Sequence, residues 1–111
     1  MATFKLTCRA EEDLLEIAAY TRGKWGEAQC LEYLDALEAC CRRLAEVPGL
    51  GRACEEVRPG CFRMEQGRHV VFYRHTGDGV LIVRILHERM LPELHLSEDD
   101  EPEGSESKDG E

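Results

Sequence analysis

The sequence contains no long apolar segment. None of its hydrophobic runs approaches the roughly 20 residues that a helix needs to cross a bilayer. The first residues also lack the apolar stretch of about 7–15 residues and the cleavage site that define a secretory signal. A chain of 111 residues is long enough for one domain of ordinary size. We therefore expect a cytoplasmic protein of one domain, without a membrane partner.

Lysine is scarce, and positive charge does not dominate the chain. Residues 1–96 contain only Lys5 and Lys24, and their 13 basic residues are outnumbered by 15 acidic ones. Phosphate contacts from basic side chains supply most non-specific affinity for nucleic acids. A nearly neutral body therefore predicts no direct nucleic-acid binding.

The acidity of the chain, whose formal net charge is −9, is concentrated at the C-terminus. Residues 97–111 hold eight acidic residues, one lysine and no hydrophobic residue. Such a segment buries too little surface to offset the entropy lost on ordering. We predict a folded domain over residues 1–96 and a disordered acidic tail over residues 97–111. The tail either keeps the protein soluble or docks on a basic patch of this protein or of a partner.

The six cysteines contain no Cys-x-x-Cys pair, and nothing in the sequence indicates the secretion that a disulfide framework accompanies. Cys30, Cys40 and Cys41 fall within a helical pattern, where a thiol behaves as a small hydrophobic group. A zinc site formed by Cys54, Cys61 and a histidine would have an unusual ligand spacing. We predict buried thiols, no metal and no cofactor, with intermolecular cross-linking confined to any thiol that is exposed.

Two amphipathic helices follow a short first strand. Alternation predicts the strand over 3–6, and Thr7 is a suitable N-cap for a helix over 8–24. Leucines and a cysteine recur at helical spacing over 27–46, which predicts a second helix. The junction has only two or three residues, so the helices should pack as an antiparallel hairpin.

The hydrophobic period then changes from that of a helix to that of a strand. Segments 61–65, 69–74 and 80–86 predict three strands, and Thr76-Gly77-Asp78-Gly79 predicts the turn between the last two. The last two strands are apolar on both faces and should be central in the sheet. The predicted fold class is α+β, with an N-terminal strand and a helical hairpin packed on an antiparallel meander.

Short sequence segments along the chain carry a family resemblance. They are Arg9–Leu14, Trp25–Gln29, Tyr33–Leu37, Pro48–Arg52, Arg58–Gly60, Gly67–Arg74, Ile82–Met90 and Pro92–Leu96. In order and spacing, these segments resemble the ParE branch of the RelE/ParE superfamily of bacterial toxins. The resemblance runs from about residue 4 to 96 and implies the toxin of a type II toxin–antitoxin system.

The superfamily contains two activities, and both are kept as hypotheses. RelE-like proteins are ribosome-dependent mRNA endonucleases, which need a base, an acid and cations around the scissile phosphate. Under this hypothesis the catalytic residues are Arg68, Arg84, Arg89 and His95, with His69 and His87 as further candidates. ParE-like proteins generally lack that set and bind DNA gyrase instead. The nearly neutral net charge of residues 1–96 favours the ParE-like hypothesis, in which the protein is an inhibitor and has no catalytic residue.

The resemblance to ParE also implies two binding surfaces. We expect the target, gyrase, to contact the end of the last strand and the residues after it, namely Arg84, His87, Arg89 and Met90. We expect a ParD-like antitoxin to contact an apolar surface flanked by arginines, formed by Leu15, Tyr20, Trp25, Leu31, Arg63, Arg68 and Arg74. The complex is expected to be a toxin–antitoxin hetero-oligomer, and a homodimer is an alternative.

Arg84 and Trp25 also have purely structural interpretations, which are kept beside the functional ones. Arg84 interrupts an apolar run, and it would fit at a sheet edge paired with Glu65 or Glu88. Trp25, at a tight junction, would fit as core packing across the hairpin. A third function remains open, a protein of this fold that has lost toxicity and acts as an interaction module.

Overall fold

The computed structural model describes residues 3–90. The predicted tail, the boundary at residue 96 and His95 lie outside these residues. Two helices pack on a five-stranded sheet, which confirms the predicted α+β class. The elements in chain order are β1 (Thr3–Leu6), α1 (Cys8–Trp25), α2 (Glu27–Glu46), a 3₁₀ turn (Pro48–Leu50), β2 (Arg52–Ala53), β3 (Phe62–Gln66), β4 (His69–His75) and β5 (Gly79–His87).

Thr7 joins three elements at the start of α1. Its Oγ1 accepts the Ala10 backbone N–H at 3.0 Å, which confirms the predicted N-cap. The same hydroxyl donates to the Val83 carbonyl at 2.7 Å, and the Thr7 backbone N–H donates to the Ile82 carbonyl at 3.0 Å. The helix therefore begins at a point fixed by the central strand of the sheet.

The junction of the helices is shorter than the predicted two or three residues and consists of Gly26 alone. Its φ is 94°, a left-handed backbone conformation that residues with a side chain rarely adopt. Its N–H donates to the Arg22 carbonyl, which ends α1, and its carbonyl accepts from Cys30 within α2. This glycine allows the two helices to reverse direction without a loop.

The sheet has the order β1-β5-β4-β3-β2. Strands β3 to β5 form the expected antiparallel meander and β2 extends it, whereas β1 pairs with β5 in parallel, with Thr3 opposite Gly79. The sheet is therefore mixed. Strand β2 was not expected, because Arg52–Ala53 is too short to show a period in the sequence.

Strands β4 and β5 are central and buried on both faces, as their composition predicts. One face packs against the helices through a core that includes Leu37, Leu44, Tyr73 and Ile82. The other face is covered in part by the loop over residues 54–61, whose Val57 packs on Phe72 and its neighbours. The helical hairpin is thus held on one side of the sheet, and the ends of α1, β4 and β5 come together beside it.

Candidate functional site

A pocket of about 390 Å³ opens where the C-terminal end of α1 meets the ends of β4 and β5. We call it the basic pocket because three cationic side chains line it together with aromatic rings. Its residues are Tyr20, Thr21, Lys24, Trp25, Tyr33, Arg68, His69, His87 and Arg89. Six residues that the sequence suggested for catalysis or binding therefore meet at one place: Tyr20, Trp25, Arg68, His69, His87 and Arg89.

Tyr33 and His69 form the floor of the basic pocket. The Tyr33 hydroxyl lies 2.6 Å from His69 Nδ1 and accepts the Arg68 backbone N–H at 3.0 Å. The His87 ring meets the His69 ring edge-on, with 5.4 Å between centroids. Burial and the neighbouring His87 lower the pKa of His69, so its neutral form is favoured.

Neutral His69 can hydrogen-bond the Tyr33 hydroxyl through Nδ1, and burial in turn raises the pKa of Tyr33. Both groups are therefore uncharged at neutral pH and support the floor of the pocket. The positive charge of the pocket comes from its rim, at Lys24, Arg68 and Arg89. Arg68 shares its charge with Glu88, at 3.8 Å between Nη1 and Oε2.

Arg84 does not reach this pocket. It lies on the central strand β5, its side chain is 8% exposed, and its guanidinium donates to both carboxylate oxygens of Asp13 on α1. The expectation of a sheet-edge position paired with Glu65 or Glu88 was wrong, because β5 lies between β1 and β4 in the sheet and the Arg84 side chain is buried against Asp13. A residue in this place is not available to contact gyrase or a scissile phosphate.

A second feature, which we call the hairpin groove, lies between β1 and the two helices. Its volume is about 390 Å³, and its lining is almost entirely apolar: Phe4, Leu6, Leu14, Leu15, Ala18, Leu34, Leu37, Glu38 and Cys41. The groove runs beside β1, an edge strand of the sheet. The groove therefore places an apolar surface beside the open hydrogen-bonding edge of β1. A peptide segment that folds on binding can cover both, with a helix in the groove and an extended stretch along the edge.

Four of the seven residues suggested for antitoxin binding line these two features. Leu15 lines the hairpin groove, whereas Tyr20, Trp25 and Arg68 line the basic pocket. Leu31 is exposed on α2. Arg63, on β3, is half-buried and lies 3.3 Å from Glu65, and Arg74 is on β4. The set is therefore distributed over more than one surface of the molecule.

Trp25 is 64% exposed, so the interpretation as core packing was wrong. Trp25 is the last residue of α1, and Gly26 reverses the chain directly after it. The Trp25 side chain therefore has no turn of α2 opposite it to cover it. An exposed tryptophan beside two tyrosines and three cations is typical of a protein-binding surface.

Sequence reasoning missed the roles of Asp13, Tyr33 and Lys24. A signal for Asp13 was present, because the buried positions of α1 are Ala10, Asp13, Ile17 and Thr21 at helical spacing. An acid inside such a stripe indicates a buried partner. Tyr33 and Lys24 gave no such signal, since their place in the pocket depends on how the end of α1, the start of α2 and the β3–β4 turn meet.

Within residues 3–90, no group of three metal-ligating side chains is present and no helix is long and apolar enough to span a membrane.

The family of this chain is identified by its match to a known family model. Residues 4–92 match the family model described as the ParE toxin of the type II toxin–antitoxin system parDE. The chain belongs to the ParE toxin family.

Curated relatives agree with this assignment. The chain is 42% identical to Toxin ParE1 of Mycobacterium tuberculosis over 94 residues, which are 84% of this chain and 96% of that protein. It is 41% identical to Toxin ParE1 of Caulobacter vibrioides over 96 residues, covering 86% and 99%. Toxin ParE of Escherichia coli is 40% identical over 91 residues, covering 81% and 88%. The protein is thus the toxin component of a type II toxin–antitoxin system.

Solved structures show the same fold. A chain of the chromosomal ParDE toxin–antitoxin system from P. aeruginosa superposes with a TM-score of 0.67 at 22% identity, over 78% of this chain and 96% of that one. A chain of the toxin–antitoxin complex RelBE2 from Mycobacterium tuberculosis superposes with a TM-score of 0.51 at 21% identity and the same coverage. The fold is therefore that of the RelE/ParE toxins.

Proposed function

We propose that this ParE-family toxin inhibits DNA gyrase by binding it in the cytoplasm, and that a ParD-like antitoxin neutralises the toxin. The observation that carries the proposal is the exposure of large apolar side chains along the hairpin. Leu15 is 71% exposed, and Tyr20, Trp25 and Leu31 are also exposed. Soluble monomers rarely leave such residues grouped on one element unless a partner covers them.

The hairpin groove supports the antitoxin half of the proposal. An amphipathic helix can place its apolar face on Leu14, Leu15 and Leu34, while an extended segment pairs with the open edge of β1. A segment that folds on binding covers a long surface of this kind. Occupation of the groove would also bring the antitoxin to Tyr20 and Trp25, at the far end of α1.

The basic pocket supports the proposed binding to gyrase. His87 is the last residue of β5, Arg89 and Met90 follow it, and Arg89 shares the pocket with Trp25 and Lys24. Tryptophan, tyrosine and arginine are the residue types that contribute most often to binding energy at protein interfaces. The proposed target surface therefore consists of His87, Arg89 and Met90 with Trp25, and it excludes Arg84.

A supercoiling assay tests this function. The full-length toxin is titrated into gyrase with relaxed plasmid and ATP, with and without an equimolar cognate antitoxin. We expect loss of supercoiling or accumulation of cleaved plasmid on trapping, and recovery when the antitoxin is present. Undiminished supercoiling without trapped cleavage would contradict the gyrase proposal, and inhibition that the antitoxin does not relieve would contradict the neutralisation.

One observation favours mRNA cleavage as a second candidate function. The basic pocket gathers Arg68, His69, His87 and Arg89, which are four of the residues suggested for catalysis. Three facts weigh against this activity: Arg84 is neutralised by Asp13, Arg68 lies beside Glu88, and residues 1–96 are nearly neutral. A ribosome-bound nuclease would need stronger positive charge around its substrate.

A further inference from the structure

Cys54 and Cys61 face each other at the base of the loop that covers the second face of the sheet. Ala53 pairs with Phe62 in the β2–β3 ladder, and the two cysteines are the next opposing pair. The Cys54 backbone N–H donates to the Cys61 carbonyl at 2.9 Å. Their Sγ atoms lie 3.1 Å apart, and both side chains are buried. The backbone therefore holds two thiols within bonding reach of each other.

The loop between them is held by its own hydrogen bonds. The N–H groups of Val57 and Arg58 donate to the Cys54 carbonyl, and the Cys61 N–H donates to the Arg58 carbonyl. Val57 anchors the loop on the buried cluster around Phe72. The thiols thus meet in the native state without rearrangement.

We propose that Cys54 and Cys61 are a site of reversible oxidation, at which a peroxide converts the two thiols into an intramolecular disulfide. One thiolate attacks the peroxide O–O bond, forming a sulfenic acid and releasing water. The second thiol then attacks that sulfur, forming the S–S bond and releasing a second water. The pair loses two electrons and two protons, the peroxide is reduced to water, and a thiol reductant reverses the change.

The other four cysteines are not arranged for this reaction. Cys40 and Cys41 are consecutive residues of α2, and the Cys30 thiol donates to the Ala18 carbonyl at 3.4 Å. Cys8 is exposed at the start of α1. Disulfides in reducing compartments are typically transient and redox-sensing, which agrees with a pair that is reduced in the resting protein.

Burial sets the rate of the proposed oxidation. It raises the pKa of both Cys54 and Cys61, so at neutral pH little thiolate is present to react. We expect oxidation to be slow at neutral pH and to accelerate as the pH rises. The disulfide would then stabilise the folded toxin, because it closes the 54–61 loop in the unfolded chain as well.

Peptide mapping of the full-length protein after peroxide treatment tests the proposal. Trypsin cuts after Arg52 and Arg63 but not between Arg58 and Pro59, so both cysteines fall in the peptide 53–63. We expect this peptide to lose two hydrogens and to resist alkylation until dithiothreitol is added. Digestion after Glu55 and Glu56 should leave its two halves linked only in the oxidised sample.

Thermal melting supplies the second readout, taken as the difference between oxidised and reduced samples of each variant. We expect the wild type to gain roughly 5–10 °C on oxidation. Cys54→Ser and Cys61→Ser should each abolish the gain, whereas the matched buried variant Cys30→Ser should keep it. Full alkylation of Cys54 and Cys61 in samples whose exposed Cys8 is already oxidised would overturn the proposal.

Discussion

Arg84 and Asp13 form a buried ion pair that joins the central strand to the first helix. Nε and Nη2 of Arg84 donate to the two carboxylate oxygens at 2.8 and 2.9 Å, and the Ile85 N–H donates to the same carboxylate at 2.9 Å. Two hydrogen bonds in parallel fix both the distance and the angle between β5 and α1. The pair is therefore part of the scaffold beneath the proposed binding surfaces.

Asp13→Ala should destabilise the protein strongly, because it leaves the Arg84 guanidinium buried without its carboxylate. We expect the free energy of unfolding to fall by about 3–5 kcal/mol, measured by urea denaturation. The exposed neighbour Glu12 provides the control, and Glu12→Ala should change it by less than about 0.5 kcal/mol. Equal effects of the two variants would show that the pair does not hold the helix on the sheet.

Gly79→Ala should disrupt the attachment of β1. A Cβ at Gly79 would clash with the Thr3 carbonyl oxygen, and the φ of 157° at Gly79 is unfavourable for a residue with a side chain. We expect a loss of at least about 3 kcal/mol in unfolding free energy. Gly77→Ala, in the same turn but with no atom within 4 Å, should cost far less. Comparable losses at both positions would contradict this packing.

His69 should make stability depend on pH in the mildly acidic range. Its pKa is lower in the folded protein, so the unfolded chain binds a proton first as the pH falls below about 6.5. This contribution to stability is complete above that pH and is lost as the pH falls towards the folded pKa. Urea denaturation at several pH values should show stability decreasing from about pH 7 to 5, with a smaller slope in His69→Gln. If the stability of His69→Gln depended on pH as steeply as that of the wild type, other groups would cause the dependence and the prediction would be wrong.

Leu15→Glu should weaken antitoxin binding without unfolding the toxin. Leu15 is exposed and lines the hairpin groove, so a carboxylate there would have to be desolvated in the complex. We expect the affinity for the cognate antitoxin, measured by calorimetry, to fall at least about 10-fold. Val47→Glu, an exposed apolar position outside the groove, is the matched control and should bind normally. Equal losses of affinity in the two variants would show that the hairpin groove is not part of the antitoxin interface.

Much of the fold could be predicted from the sequence because its signals are local. Thr7 as N-cap, the break at Gly26 and the apolar runs of β4 and β5 each specify an element from neighbouring residues alone. The parallel pairing of Thr3 with Gly79 could not be predicted in this way, since it depends on contacts between distant segments.

The proposed binding surfaces could be predicted less completely from the sequence, for the same reason. The partner of Arg84 comes from a helix 71 residues earlier in the chain, and sequence proximity suggested Glu88 instead. Exposure of Trp25 depends on the abrupt turn at Gly26, which composition alone does not reveal. Arg68, His87 and Arg89 were identified as candidates, but their meeting in one pocket follows from strand register.

We propose that this toxin acts by binding a macromolecule and does not break bonds itself. One preparation of the full-length protein, assayed in parallel with gyrase and with translating ribosomes, tests it most directly. We expect gyrase inhibition, weakened by Arg89→Ala, together with intact mRNA in the translation reaction. Codon-dependent cuts in ribosome-bound mRNA, abolished by Arg89→Ala, would contradict the claim.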